Sequence, residues 1–390
     1  MSGAASPGRA ATGHRILALG SPGEVRVVLL ASGVLTDYAL WRPGAPDLVG
    51  DLHRGRVIAA VPAMAGAFVS LAGGIEGFLP DTAGAAGLGA GAAVLVRVVR
   101  AALGGKGPRL AGVTAAAVGA PIAHPLIAGP PGLLRRGPSA LARFAAAWPE
   151  ADIHTDDPAL LAALHPTLGA RMVLDPDCLD PELEAEIAAL AETTAPLPGG
   201  AYLHIHPTPA LTAIDLDAGA ATAVREGKRT AQAALNRAAI PELARQIRLR
   251  NLGGAILVDP AGLAVRRRAA LGPALAAALA ADPLAPRLLG FTALGLVEIL
   301  RPVVHPPLHE LLAGPHATGL AALRAIAREV AANPAARPRL RAAPAIVAAL
   351  QADPVALDAL AARTGQALRL EAVPALGGWE LASPTGPGHG

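Results

Sequence analysis

Residues 201–219 read AYLHIHPTPALTAIDLDAG, and residues 250–259 read RNLGGAILVD. The first stretch supplies two strands, and AILVD reads as a buried strand. Between them Thr230–Arg250 is helical in pattern, with Asn236 as the expected cap of a second helical piece, because Pro241 sits poorly in mid-helix and well in a first turn. The result is a β–β–helix–β unit in which two strands end in carboxylates. Alternation puts Asp215 and Asp217 on one side of their strand, and Asp259 closes the other. Apolar strands ending in carboxylates beside a basic helix suit a hard divalent cation; magnesium takes one or two carboxylates and keeps its waters, leaving room for a phosphate. A strand-end aspartate read alone serves as well as a cap or turn residue.

Working outward, residues 15–41 alternate in three short runs, a small β-meander, and Gly50 to Leu103 holds short strands broken by Gly and Pro, the pattern of a five-stranded OB-type barrel. Residues 126–150 form a Pro/Gly-rich connector with one helical stretch, Ser139–Trp148. A helix (Asp157–Leu164), a strand (Arg171–Leu174) and a helix begun by Asp180-Pro181 follow. Beyond the catalytic candidate, 262–282 is helical and GFTALGLVEIL (290–300) is one further strand. Residues 302–319 read as a linker, and the rest as three helices and a strand (Leu368–Ala372), a small α+β unit. The fold class is therefore an α/β and β multi-domain chain.

Composition narrows the function classes. The 390 residues allow several domains. Mean hydropathy is +0.44, yet alanine supplies most of it and no run is apolar enough for a membrane span, so a soluble, non-membrane protein is expected. The N-terminus lacks a secretory pattern and reads as a short disordered leader. The single cysteine, Cys178, rules out an internal disulfide and a cysteine-rich zinc site and suits a cytoplasmic location. Only Lys106 and Lys228 among the 33 basic residues are lysines; arginines cluster at Arg135-Arg136, from Arg225 to Arg250 and at Arg266-Arg267-Arg268. Such clusters bind phosphate or simply solvate helix faces.

ALTAIDLDAG (210–219), NRAAIPELARQIRLRNLGGAILVD (236–259) and LGFTALGLVEILR (289–301) resemble the catalytic core of the ribonuclease E/G family. The most specific part is LARQIRLRNLGG, with Ile247, Arg248, Arg250, Asn251 and Gly253-Gly254 in the family's order. GDLHRGRVIAAVPAMAGAFVSLAGGIEGFLP (50–80) resembles its S1 domain, GGKGPRL (104–110) its basic loop, and ADIHTDDPALLAAL (151–164) with ARMVLDPDCL (170–179) its RNase-H-like part. The resemblance implies an S1/OB-type RNA-binding barrel (46–125) inserted in an RNase-H-like part (15–45 and 150–199). A remnant of the sensor region (126–149), a DNase-I-like catalytic unit (200–304), a linker (305–319) and a small C-terminal unit (320–380) complete the layout.

Function follows from the same resemblance: a metal-dependent endoribonuclease of single-stranded RNA, with Asp215 and Asp259 as ligands of Mg²⁺ or Mn²⁺. Asp217 joins the catalytic set where the family usually carries Asn. Phe68 and Phe78 match aromatics that stack RNA bases, the alternative being barrel core, and Leu71 replaces a third. Lys106, Arg248 and Arg250 are expected on the RNA backbone. The family's Arg-Thr loop for an RNA 5′-monophosphate has no match, so 5′-end sensing is expected to be lost. AGPHATG (313–319) replaces its zinc-binding Cys-Pro-x-Cys; His305, His309 and His316 there are expected to be solvated, with no zinc and no zinc-linked dimer, a homodimer through the C-terminal unit staying open. The competing readings are an RNA-binding protein that keeps the fold without cleaving and a scaffold acting through protein contacts. Loss of RNA affinity in Phe68→Ala and Phe78→Ala argues against the scaffold.

Overall fold

The computed structural model describes residues 13–114, 128–219 and 228–382; the N-terminal leader and Arg225 lie outside them. β1 (His14–Ser21), β2 (Glu24–Ala31) and β3 (Val34–Trp41) form the meander, each hairpin closed by a two-residue turn with glycine at positive φ (Gly23, Gly33). Six strands then leave this sheet: β4 (Leu52–Val61), β5 (Gly66–Ser70), β6 (Glu76–Pro80), β7 (Ala93–Arg100), β8 (Arg109–Gly112) and β9 (Gly132–Arg135). β4 pairs with both β5 and β7, which closes β4-β5-β6-β8-β7 into a five-stranded barrel, and β9 adds to β4 outside the ring. Val57, Val69, Leu71, Leu79, Val96 and Leu110 fill its interior. Leu71 is thus a core residue, and its identity does not weaken an aromatic platform on the outside.

The chain returns to the first sheet as β10 (Asp152–Thr155) and β11 (Met172–Leu174), giving the order β11-β10-β1-β2-β3 with β1 parallel to β10. The barrel strands are therefore inserted, in chain order, between β3 and β10. Helices α1 (Ala140–Ala147) and α2 (Pro158–Leu168) cover one face of that sheet and α3 (Pro181–Ala189) the other. Ser139, Asp157 and Asp180 cap their N-termini as the sequence signals.

The second large sheet has the order β12-β13-β14-β15-β17-β16, built from β12 (Thr194–Leu197), β13 (Ala201–Pro207), β14 (Thr212–Asp217), β15 (Gly254–Asp259), β16 (Arg287–Phe291) and β17 (Val297–Arg301). β14 and β15 are parallel, joined through α4 (Lys228–Leu249). α4 runs unbroken past Pro241, against the expected two pieces. Pro241 and Arg237, whose carbonyl the missing N–H leaves free, both lie on the exposed side, where water takes the acceptor. Asn236 is accordingly no cap: buried in mid-helix, its amide donates to the carbonyls of Gln232 and Ala261. Ile240, Leu243 and Ile247 pack on Ile214, Leu216, Ile256 and Val258, so one sheet face is sealed and the other left open. Residues 262–282 contain α5 (Val265–Arg268) and α6 (Gly272–Leu279). GFTALGLVEIL is a hairpin rather than one strand, because Gly295 at φ +85° turns the chain between β16 and β17.

The expected linker is largely helical: Leu308 buries at the start of α7 (Leu308–Leu312), and α8 (Gly314–Ala332) begins five residues before its expected start, with proline in its first turn. α9 (Pro344–Gln351) and α10 (Pro354–Thr364) pack with α8 against a sheet of order β19-β18-β20, from β18 (Arg339–Ala342), β19 (Arg369–Ala372) and β20 (Trp379–Ala382). Of these three strands the sequence pattern predicts only β19. Among the described residues no single helix is long and apolar enough to cross a membrane.

Candidate active site and RNA-facing surface

β14 alternates buried and exposed residue by residue, so Ala213, Asp215 and Asp217 project from the open face while Ile214 and Leu216 enter the core. In the parallel register Asp215 lies directly opposite Asp259, which puts the two carboxylates on neighbouring strands about 4.8 Å apart. β13 extends the row: His204 is opposite Asp215 and Tyr202 opposite Asp217. The open face thus carries three carboxylates and two imidazoles, His204 and His206, within two strand spacings. Sequence reasoning missed Tyr202, His204 and His206, although the alternation in AYLHIHP places them on this face.

Each acid has its own environment. Asp215 makes no hydrogen bond or ion pair among the described residues. Asp217 accepts from the Gly219 amide at 2.9 Å and lies 3.7 Å from His204 Nε2. Asp259 Oδ1 accepts from Arg268 Nη1 at 2.7 Å, with Asp259 half exposed. Arg268 is anchored by the Leu263 and Gly295 carbonyls at 2.8 and 3.1 Å, so its guanidinium is a fixed positive neighbour of the pair. No three His, Cys, Asp or Glu among the described residues are close enough to enclose a metal. The donor set fits a hard cation that uses two carboxylates and completes its sphere with water, and it fits no closed N/S site.

On the barrel, Phe68 and Phe78 are register partners on β5 and β6, half-buried on the outer surface with ring centroids 5.6 Å apart, edge to face. Ala67, Val69 and Leu79 point inward instead, so these two rings are not barrel core. Arg109 on β8 flanks Phe78, and exposed Lys106 tops the turn between β7 and β8. Gly104 and Gly105 hold that turn at positive φ, and Gly107 lies so close to the Glu76 carbonyl that a Cβ would sit 2.1 Å from it.

The two arginines expected on RNA are engaged elsewhere. Arg248 grips Asp37 through Nε and Nη2 at 2.9 and 2.8 Å. Arg250 is buried; it donates to Gln246 Oε1 at 2.8 Å, to the Leu190 carbonyl at 3.0 Å and to the Glu192 carbonyl. Both tie α4 to the first sheet and α3, so the structure engages them in packing rather than in the phosphate role that the resemblance implied. His305 and His316, expected to be solvated, instead bond Asp47 and Asp353 at 2.5 and 2.9 Å. Burial, with Asp156 and Asp175 nearby, pushes the Cys178 thiol up to about 11, which leaves it protonated at neutral pH and no nucleophile.

Residues 177–303, which contain the open face, match the model of the ribonuclease E/G family. Ribonuclease E of Nostoc sp. is 40% identical over 118 residues, covering 29% of this chain and 17% of that protein. Ribonuclease E of Synechocystis sp. is 34% identical over 134 residues, 34% of this chain and 20% of that protein. Ribonuclease G of Escherichia coli is 38% identical over 122 residues, 31% of this chain and 24% of that protein. The match thus spans a quarter or less of these relatives' length.

Proposed function

From the membership of residues 177–303 in the ribonuclease E/G family, we propose that the chain is a metal-dependent endoribonuclease hydrolysing phosphodiester bonds of single-stranded RNA in the cytoplasm. The observation that carries the reading is the register of Asp215 against Asp259 on the open face of the sheet. These two carboxylates would hold Mg²⁺ or Mn²⁺, which when bound lowers the pKa of a coordinated water and offsets charge on the phosphate. Asp217, fixed by the Gly219 amide and 3.7 Å from His204 Nε2, borders the position of the scissile phosphate and adds negative charge there. Arg268 orients Asp259 and adds positive potential towards an approaching phosphodiester. Phe68 and Phe78 stack bases, while Lys106 and Arg109 meet the backbone beside them; stacking is sequence-tolerant, so the barrel grips without choosing.

The test is cleavage of a fluorescent single-stranded RNA with and without Mg²⁺, comparing the wild type with Asp215→Asn and Asp259→Asn. Metal-dependent cutting lost in both variants supports the proposal. Binding without cutting, under either Mg²⁺ or Mn²⁺, replaces it with the RNA-binding reading and makes Asp217→Asn the next variant.

A further inference from the structure

A cleft of about 440 Å³ opens between β3, the loop 42–51, α1 and the segment 282–311. Trp41, Phe144 and Trp148 line it, half-buried and packed on the core of the first sheet. This volume, with an aromatic lining and a few charged groups, is that of a small-molecule site.

The charges decide what enters. Each carboxylate on the wall already has a direct partner: Asp37 pairs with Arg248 at 2.8 Å, Asp51 with Arg136 at 2.5 Å and Asp282 with Arg301 at 2.6 Å, while Asp47 shares a hydrogen bond with His305 Nδ1 at 2.5 Å. Arg143, on the same wall, has no carboxylate within ion-pair reach among the described residues. Its guanidinium makes one long contact, 3.4 Å from Nη1 to the Pro138 carbonyl. Burial disfavours its charge, and Asp47 and Asp37 compensate only at a distance. A guanidinium does not give up its proton in a protein, so the cleft presents a positive charge with no carboxylate in direct contact, beside aromatic rings.

We infer that this cleft binds a small aromatic anion, with its ring against Trp41, Phe144 and Trp148 and its anionic head on Arg143. The site is separate from the proposed nuclease centre. β15 starts at Gly254, register partner of the cleft residue Arg301, and ends at Asp259, so the two regions lie at opposite ends of one strand, about 16 Å apart. Carboxylate and phosphate monoester heads share the required chemistry, because a planar guanidinium donates two parallel N–H bonds to either.

Ligand-observed NMR on the full chain would compare naphthalene-2-carboxylate and 1-naphthyl phosphate with the neutral naphthalene-2-carboxamide. At least one anion is expected to bind about tenfold or more tightly than the amide, and the tighter of the two identifies the head group. Arg143→Gln should bring that anion to the level of the amide at a melting temperature close to that of the wild type, since no carboxylate loses a direct ion pair. Ala147→Trp, which fills the mouth from an exposed position on α1, should abolish binding of all three. No binding at millimolar concentration, equal binding of anion and amide, or unchanged anion affinity in Arg143→Gln would each overturn the inference.

Discussion

Replacing Arg250 by Met keeps the aliphatic stem and removes the guanidinium that joins α4 to the C-terminal end of α3. The side chain is 6% exposed. Its strongest bonds reach Gln246 Oε1 and the carbonyls of Leu190 and Glu192, with weaker contacts to Ala189 and Thr194. A hydrogen bond to a charged group contributes about 1.5–3 kcal/mol, and a buried acceptor left alone costs about 1–3 kcal/mol. Two or three such losses, softened by relaxation, come to about 3–5 kcal/mol. That is a large share of the roughly 5–15 kcal/mol that holds a domain together. At roughly 2–4 °C per kcal/mol for units of this size, the main thermal transition should fall by about 10 °C. Circular dichroism melting gives the shift. RNA binding, measured below the transition against salt, should keep the wild-type slope. An arginine on the RNA backbone would instead lower the slope by about 0.7 and leave the melting temperature nearly unchanged. That second pattern would refute the structural role.

Phe68→Ala and Phe78→Ala should each weaken single-stranded RNA binding by roughly tenfold or more, since stacking contributes roughly 1–3 kcal/mol per base. Fluorescence anisotropy at fixed salt checks this, and a change below twofold in both would remove the platform. His53 gives a pH signature. It is buried, neither ring nitrogen has a hydrogen-bond partner among the described contacts, and burial lowers its pKa against the opposing pull of Asp51. The unfolded chain therefore binds the proton more readily. Stability is intact above about pH 6.5 and drains as pH falls from there towards the lower folded-state value. Urea midpoints between pH 7.5 and 5 should fall less steeply in His53→Leu than in the wild type; parallel slopes would argue against the assignment.

By itself the sequence determined what depends on local period and local chemistry. The alternation in AYLHIHPTPALTAIDLDAG set β13, β14 and the outward side of Asp215 and Asp217, and Ser139, Asp157 and Asp180 announced three helix starts. The tertiary structure decided what depends on partners distant in the chain. Asp215 and Asp259 become neighbours only because β14 and β15 pair in parallel, in a register no local pattern encodes. Pro241 stays inside α4 because the core gained along Ile240, Leu243 and Ile247 outweighs a carbonyl left to water. Residues 290–300 read as one strand until Gly295 turns them back. Arginine shows the limit most clearly: Arg248, Arg250 and Arg268 look alike as charges in sequence. Folding commits the first two to Asp37 and buried carbonyls and sets the third beside Asp259, because a guanidinium goes where its donors find acceptors.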